Sequence, residues 1–392
     1  MHPYFFVSLK KAVKSLSFLY NFGIQLPNYI TFVDLTSFLK YNFINMNYII
    51  IGGTGFIGTH LANLLHEVHP NDEIWNLDIV DPSMLEGMSD KELQEYTTIK
   101  HWKTPVVEGE SRKATFVHCD VRKPIESLPF TPTSEDVIFN FAAVHRTPGH
   151  PDHAYFETNI RGAENVCAFA EKHGIKNIVF TSSIAPYGAA EDRKEETTLP
   201  TPNTPYGISK LVAEKIHQIW QTSGEGRKLT IVRPGVVFGK GENGNFTRLY
   251  WGIRKHTFAY PGRKDTIKAC VYVKELVRFI LWNVEKRKSM NEIYNCTFEP
   301  AYTIEQIVKV IKERTGLRQA VPYVPNALIM SAAVGAKAVG SPMGICPARV
   351  KKLQISTNIC GKKMKESGYE FKWTFEEAVD DWFEDNKRNC LE

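Results

Sequence analysis

The chain has 392 residues, of which 43% are hydrophobic and 23% charged, with a formal net charge of +5 at pH 7. This composition is typical of a folded globular protein and excludes a disordered one. Acidic residues stand between the basic ones, so the charge does not form the concentrated patch that nucleic-acid binding requires. The seven cysteines are scattered without a C-x-x-C pair. They favour a reduced, cytoplasmic setting with structural thiols and no metal site.

Residues 1–45 contain no Arg and no recognisable motif. We expect Met46 to be the biological start and residues 1–45 to lie outside the native protein; a membrane-surface or partner helix is the alternative. The longest uncharged run, 15–33, contains Asn, Gln and Pro and is no convincing membrane span. A second apolar stretch, 327–340, predicts a core or interface helix rather than a membrane-surface one. We therefore expect a soluble protein without a membrane partner.

From residue 47 onward, short apolar runs alternate with longer amphipathic ones, which is typical of β-α-β units and a parallel sheet. We predict strands at 48–51, 73–79, 115–119, 136–142, 177–182 and 229–232. We predict helices at 56–68, 153–173, 206–222, 273–284 and 303–315. With right-handed crossovers, these elements form an α/β, doubly wound parallel sheet. The polar segment 82–104 is an insertion between the second and third strands, to which we assign no role.

The alternating pattern ends after residue 233, where loops containing Gly and Pro take over. We therefore expect residues 46–233 to form the cofactor-binding domain with the catalytic residues. Residues 234–392 are expected to form mainly a smaller, substrate-binding lobe, with some segments returning to the first domain.

The stretch IIIGGTGFIG places Gly52, Gly55 and Gly58 between the first strand and the first helix. Such glycines allow a tight turn, close approach of backbone N–H groups to a diphosphate, and packing of helix on strand. Asp78 ends the second strand about twenty residues later, where a carboxylate accepts hydrogen bonds from an adenosine ribose. No cation follows Asp78 to meet the extra phosphate of NADP. The pattern predicts NAD bound to a Rossmann-type fold.

Side chains at two further strand ends complete the predicted cofactor site. Asp120 closes the third strand and could reach the adenine edge; its alternative role is to cap the following turn. Ala142 and Ala143 close the fourth strand and let the backbone touch the cofactor. The predicted cofactor-binding set is Gly52, Gly55, Phe56, Ile57, Gly58, Asp78, Asp120, Val121, Ala142, Ala143, Tyr206 and Lys210.

A tyrosine followed four residues later by a lysine can share one helix face, where the ammonium lowers the pKa of the phenol. Three such pairs occur in the chain. Tyr260 is followed by Pro and Gly, which favours a turn, and Tyr96 lies in the charged insertion. Only Tyr206, with Lys210, opens an amphipathic helix after a strand that ends in FTSSIAPYG. This pair is therefore the predicted catalytic one.

The order of GGTGFIG, CDVR, FAAV, TNIRGAENV, FTSSIAPYG, PYGISK and RPGVVFG resembles the extended short-chain dehydrogenase/reductase family, in particular its NAD-dependent epimerase/dehydratase group. The resemblance covers residues 46–384. It implies that Tyr206 is the catalytic acid/base, that Lys210 binds the nicotinamide ribose and tunes Tyr206, and that Ser183 hydrogen-bonds the reacting oxygen. Asn159 matches an Asn of the family's central helix, and a helix-packing amide is its alternative role.

Several positions depart from the family pattern. Dehydratases of the group carry an Asp-Glu pair where Ile184 and Ala185 stand here, so dehydration is disfavoured. An Arg that contacts the nucleotide diphosphate in the family is replaced by Lys268, with Arg263 or Lys264 sharing that role. Arg146, after the fourth strand, is placed to meet a substrate anion.

The resemblance favours a nucleotide-sugar epimerase acting at C4 of a UDP-hexose or UDP-uronate, through hydride transfer to NAD, a 4-keto intermediate and hydride return. The alternative is a net oxidoreductase, either a keto-sugar reductase or a 3β-hydroxysteroid-dehydrogenase-like enzyme. A third reading is a non-catalytic NAD-binding regulator. The resemblance also implies a homodimer in which helices 153–173 and 206–222 of two subunits form a four-helix bundle.

Overall fold

The computed structural model describes residues 46–81, 114–145, 150–287, 289–338, 350 and 353–392. Its strands are β1 (Asn47–Ile51), β2 (Glu73–Asp78), β3 (Thr115–His118), β4 (Val137–Asn140), β5 (Asn177–Thr181), β6 (Ala190–Lys194), β7 (Lys228–Pro234), β8 (Val236–Phe238), β9 (Tyr260–Pro261), β10 (Ile267–Lys268), β11 (Cys270–Tyr272), β12 (Asn291–Cys296), β13 (Tyr302–Thr303), β14 (Tyr323–Val324) and β15 (Thr357–Ile359). Its helices are α1 (Phe56–Val68), α2 (Asp152–Lys172), α3 (Pro205–Thr222), α4 (Asn245–Arg254), α5 (Val273–Lys286), α6 (Ile304–Thr315), α7 (Asn326–Ala338), α8 (Lys362–Glu366) and α9 (Phe375–Asp385).

Seven strands form the main sheet in the order β12-β7-β5-β4-β1-β2-β3, and every neighbouring pair is parallel. The chain adds β2 and β3 on one side of β1, then crosses over and adds β4 and the later strands on the other side. This reversal makes a switch point between β1 and β4, where the carboxyl ends of the strands open a crevice. The predicted doubly wound parallel sheet of the Rossmann type is confirmed.

Both faces of this sheet are covered, which explains the continuous apolar character of its strands. In β1, Tyr48 and Ile50 pack on one face, in the core shared with α1 and α5. Ile49 and Ile51 pack on the opposite face, in the core shared with α2 and α3. The alternation follows the two-residue period of a strand, so a one-residue slip would exchange the two faces.

The smaller C-terminal part has an aromatic core of its own. Phe238, Phe246, Phe375 and Trp382 are all buried there. The centroids of the Phe238 and Phe246 rings lie 4.7 Å apart in a stacked arrangement. Helix α9 joins this core and is fixed at its start by a capping box formed by Thr374 and Glu377.

All six predicted strands and all five predicted helices occur, with ends shifted by a few residues. Strand β12 and helix α5 return to the main sheet from the C-terminal part of the chain. The predictions about residues 1–45, the insertion at 82–104 and Arg146 lie outside the described residues. In the described part of the chain, no helix is both long and apolar enough to cross a membrane.

Candidate active site

The glycine loop lies at the switch point of the sheet. Gly52 follows β1 with a left-handed φ of 83°, and its N–H donates to Leu77 O at 2.8 Å. A Cβ atom on Gly52 would lie 2.7 Å from Ala142 N, at the end of β4. A Cβ atom on Gly58 would lie 2.5 Å from Gly52 O. Both positions require glycine, because the loop, helix α1 and the end of β4 approach too closely for a side chain.

The start of α1 provides the expected cradle for a diphosphate. Gly55 is the N-cap residue, and no side chain caps the helix there. The first turn of α1 therefore presents backbone N–H groups without intrahelical partners at the mouth of the crevice. The predicted residues Phe56 and Ile57 form that turn. This arrangement, with Asp78 at the end of the neighbouring strand, fits the dinucleotide that the sequence predicts.

Asp78 holds the glycine loop in place through hydrogen bonds. Its carboxylate accepts from Thr54 N at 3.1 Å and from Val80 N at 3.2 Å. Burial raises the pKa of Asp78 to about 6, and these backbone N–H donors oppose the rise. The carboxylate predicted to contact the ribose is thus oriented by hydrogen bonds from the loop backbone.

Asp120 performs the turn-capping role that was the alternative to adenine contact. It accepts from Arg122 N at 3.0 Å and forms a forked pair with the Arg122 guanidinium, which lowers the pKa of Asp120. Val121 is buried and lies against Gly162 of α2, where an added Cβ would meet it at 3.1 Å. Adenine recognition by Asp120 stays a prediction.

Tyr206 is the second residue of α3, and the local sequence explains why. Thr204 caps the helix by accepting from Gly207 N at 3.1 Å, and Pro205 occupies the first helical position. A Cβ atom on Gly207 would lie 2.6 Å from Ala185 O, so this glycine allows the segment after Ser183 to approach α3. The turn residues thereby bring the ends of β5 and α3 together.

Ser183 Oγ accepts from Ala185 N at 3.1 Å, and the Ser183 side chain also interacts with that of Tyr206. Burial raises the pKa of Tyr206 to about 12, and the interaction with Ser183 partly offsets this rise. The burial of Tyr206 thus opposes the lowering of its pKa that the sequence predicts. A positive charge beside the phenol is what would favour its deprotonated form.

Lys210 lies one turn after Tyr206 and is only 2% exposed. Its Nζ is 4.2 Å from the centroid of the Phe180 ring. Burial lowers the pKa of Lys210 to about 7, and the negative charge of Glu214 opposes this effect. The pKa of Lys210 therefore lies close to neutral pH, as is typical of a lysine with a catalytic role.

Asn159 of α2 fixes the loop that follows β4. Its amide oxygen accepts from Val144 N at 2.9 Å, and its amide nitrogen donates to Val144 O at 3.0 Å and to Ser209 Oγ at 2.9 Å. The side chain thus joins α2, the β4 loop and α3. This geometry corresponds to the helix-packing role that is the alternative prediction for Asn159.

Two of the predicted substrate residues lie in the C-terminal part and already have protein partners. Lys268 Nζ donates to Ile355 O at 2.7 Å. Arg263 pairs with Glu191 at 3.0 Å and with Asp265 at 2.9 Å. Binding of a substrate diphosphate at these cations would have to compete with those contacts, so their substrate role stays a prediction.

Sequence reasoning missed a buried polar cluster beneath Ser183 and Lys210. It contains Ser182, Tyr187, Glu214, Arg233 and Asn295. The one signal available in the sequence was the position of Glu214, four residues after Lys210 on the same helix face.

Comparison with known proteins gives the family. The sequence profile described as the NAD dependent epimerase/dehydratase family matches residues 48–297. N-acetyl-alpha-D-glucosaminyl-diphospho-ditrans,octacis-undecaprenol 4-epimerase of Escherichia coli O157:H7 is 30% identical over 250 residues, which are 62% of this chain and 76% of that protein. UDP-glucose 4-epimerase of Bacillus subtilis is 24% identical over 306 residues, 71% of this chain and 84% of that protein.

A solved structure shows the same fold. UDP-glucose 4-epimerase of Thermotoga maritima, determined with UDP-glucose, superposes with a TM-score of 0.64 at 23% identity. The match covers 88% of this chain and 99% of that one.

Proposed function

Since this chain belongs to the NAD-dependent epimerase/dehydratase family, we propose that it is a 4-epimerase of UDP-linked sugars, acting on a UDP-hexose or UDP-uronate. The observation that carries the proposal is the group of half-buried Ser183 and Tyr206 with buried Lys210, at the carboxyl edge of the sheet that also carries the glycine loop. The relatives support it, because the B. subtilis protein is a UDP-glucose 4-epimerase.

In the proposed reaction, NAD held by the glycine loop and Asp78 would supply the acceptance and return of a hydride, and the chain's own residues move the proton. Tyr206 accepts the proton of the C4 hydroxyl as the C4–H bond breaks, and Ser183 hydrogen-bonds the same oxygen. The Lys210 ammonium stabilises the phenolate that Tyr206 needs for this step. After the keto sugar has turned in its pocket, Tyr206 returns the proton and the C4 configuration is inverted.

The residues after Ser183 argue against the group's other common reaction. Elimination of water needs an acid and a base beside the keto sugar, and Ile184 and Ala185 provide neither. Epimerisation needs only the proton carrier and the returning hydride. The residues present therefore suit an isomerase better than a dehydratase.

Retention of the cofactor separates an epimerase from a net oxidoreductase. Because an epimerase regenerates its NAD in every turnover, we expect the purified protein to release close to one NAD per chain on denaturation. A net oxidoreductase must exchange its cofactor and would be purified largely without it. Mass spectrometry of the released nucleotide distinguishes NAD from NADP at the same time.

A second substrate class is favoured by a specific surface feature. Helix α7 exposes Leu328 and Val334, at 63% and 57%, and Leu353 and Ile355 are also exposed. The two segments are joined by a hydrogen bond from Gln354 to Asn326, and Lys268 donates to Ile355 O beside them. Apolar surface next to a cation suits a sugar carried on a lipid diphosphate, the substrate type named for the E. coli relative.

The two substrate classes can be compared directly. The same protein is assayed with UDP-N-acetylglucosamine and with N-acetylglucosamine on a short polyprenyl diphosphate. A Leu328→Ser variant provides the control, because it should raise the KM for the lipid-linked sugar and leave that for the UDP-sugar unchanged. Turnover of the UDP-sugar alone, unaffected by this substitution, would reject the second class.

We further propose a homodimer, located in the cytoplasm, with a four-helix interface formed by α2 and α3 of both subunits. The outer face of α3 exposes Ile208, Val212 and Ile219, spaced so that they form one stripe. The cytoplasmic location is supported by the described cysteines, which are all free. We also propose that residues 234–392 form the substrate lobe, apart from β12 and α5.

A further inference from the structure

A buried ion pair lies under the candidate catalytic residues. The side chains of Glu214 and Arg233 are 1% and 4% exposed. Arg233 Nε donates to one carboxylate oxygen of Glu214 at 2.8 Å, and its Nη2 donates to the other at 2.6 Å. This forked geometry fixes the orientation of both groups.

The ion pair is the centre of a hydrogen-bonded chain that crosses three neighbouring strands. Ser182 Oγ donates to Glu214 at 2.5 Å. On the other side, Arg233 Nη1 donates to the Tyr187 hydroxyl at 2.7 Å, which in turn donates to Asn295 at 2.9 Å. The chain thus ties the ends of β5, β7 and β12 to helix α3.

The position of the pair connects it to the reaction. Glu214 follows Lys210 by one helical turn and Tyr206 by two, so all three lie along one face of α3. Ser182, which donates to Glu214, immediately precedes Ser183. The carboxylate therefore contacts both segments whose relative placement determines the distance between Ser183 and Tyr206.

Packing alone does not explain a buried ion pair, because apolar side chains of similar volume generally give equal or greater stability. Glu214 also has an electrostatic effect: its charge raises the pKa of Lys210 and opposes the effect of burial. Lys210 interacts electrostatically with Glu214 and His217 of the same helix. Glu214 is in turn paired with Arg233 of β7, and Tyr206 lies against Tyr155 of α2.

We propose that Glu214 is a positioning residue for the reaction: clamped by Arg233 and Ser182, it fixes the Ser183 segment to the helix that carries Tyr206 and favours the charged form of Lys210. This proposal rests on the roles assigned above to Ser183, Tyr206 and Lys210. It predicts that Glu214 acts through Lys210 and Ser183 without touching the substrate.

The test uses the full chain as purified, without added substrate. NMR titration of isotope-labelled lysine side chains measures the pKa of Lys210 in the wild type, in Glu214→Gln and in Glu275→Gln. Glu275 is the matched control, a fully buried carboxylate that accepts from Tyr369 and from Lys372 N and Trp373 N. We expect Glu214→Gln to lower the pKa of Lys210 by about one unit and Glu275→Gln to leave it unchanged.

Kinetics provide the second measurement. In Glu214→Gln we expect kcat to fall about tenfold or more with KM little changed. We also expect the alkaline limb of the kcat–pH profile to move toward lower pH, because Lys210 loses its proton at a lower pH. An unchanged Lys210 titration together with an unchanged pH profile would reduce Glu214 to a structural ion-pair partner and overturn the proposal.

A milder variant covers the case in which Glu214→Gln does not fold. Ser182→Ala keeps both charges and removes one anchor of the carboxylate, so kcat should fall several-fold with KM unchanged. A wild-type kcat in a folded Ser182→Ala protein would contradict the proposal. Because the titration needs no turnover, a shifted Lys210 pKa in a chain without epimerase activity would support the electrostatic role of Glu214 while refuting the proposed function.

Discussion

The Lys210 ammonium lies 4.2 Å from the centroid of the Phe180 ring, so the predicted catalytic lysine is held against the end of β5. The ring of His217 stacks on the same Phe180 ring with a centroid distance of 4.2 Å. Phe180 therefore packs α3 onto the sheet and places Lys210 where water is largely excluded. This burial is the reason that the pKa of Lys210 falls to about 7.

Replacing this lysine should stabilise the chain while abolishing its activity. The folded pKa of Lys210, about 7, lies below its usual 10.5. The stability linked to this group is therefore present above its unfolded pKa and lost as the pH falls through the folded value. We expect Lys210→Met to raise Tm by about 2–6 °C near pH 6 and by less near pH 10, measured by calorimetry. An equal Tm difference at both pH values would contradict this explanation.

Tyr206→Phe should remove the proton carrier and leave the fold intact. We expect kcat to fall by about 10²–10⁴, with the NAD content of the purified protein unchanged. Tyr260→Phe is a matched control, because Tyr260 is also followed four residues later by a lysine, whose Nζ lies 5.1 Å from the ring centroid. Wild-type turnover by Tyr206→Phe would exclude the assigned role.

Asp78→Asn should separate cofactor affinity from stability. Burial raises the folded pKa of Asp78 to about 6 from 3.8, so the stability linked to this carboxyl is present below its unfolded pKa and lost as the pH rises through about 6. The neutral amide of the Asp78→Asn variant avoids that loss of stability. Part of the gain is offset because the amide oxygen accepts a weaker hydrogen bond from Thr54 N than the carboxylate does.

We therefore expect the stability of Asp78→Asn relative to wild type to rise between about pH 4 and about pH 6, measured by urea denaturation. Its affinity for NAD should fall about tenfold or more, because hydrogen bonds to a charged acceptor are lost. Unchanged NAD binding by calorimetry would remove Asp78 from the cofactor site.

Ile219→Glu should dissociate the proposed dimer. Ile219 is 64% exposed on the outer face of α3, and a carboxylate there would be buried without a partner in the four-helix interface. Leu199→Glu is the control, since Leu199 is 79% exposed but lies outside α2 and α3. Light scattering should give a dimer for wild type and control and a monomer for Ile219→Glu. A monomeric wild type would end the dimer proposal.

The local patterns in the sequence were sufficient for most of the sheet, because buried parallel strands are short apolar runs. They did not identify β6, whose residues Ala190–Lys194 include four charged side chains. This strand exists because it pairs with Thr357–Ile359, more than 160 residues away. Strand β12 begins with Asn and Glu at the edge of the sheet and was missed for a similar reason.

The candidate site divides in the same way. The glycine loop and the pair of Tyr206 and Lys210 are short local motifs. The position of the loop could be predicted from the end of one strand, and that of the pair from one face of a helix. The contact of Glu214 with Arg233 and Ser182 depends on three elements meeting, which no local spacing reveals. Asp120 shows a different difficulty, because the sequence allowed two roles for it, adenine contact and turn capping. The hydrogen bond from Arg122 N to Asp120 became visible only in the structure.

The most direct test of the 4-epimerase assignment is NMR observation of purified protein with UDP-glucose, UDP-glucuronic acid and UDP-N-acetylglucosamine, each without added NAD. We predict that at least one of them approaches a mixture of its two C4 epimers, and that deuterium placed at C4 stays on the sugar, because the hydride returns to the carbon from which it came. Protein shown to contain NAD that interconverts none of them, nor the lipid-linked sugar, would contradict the account.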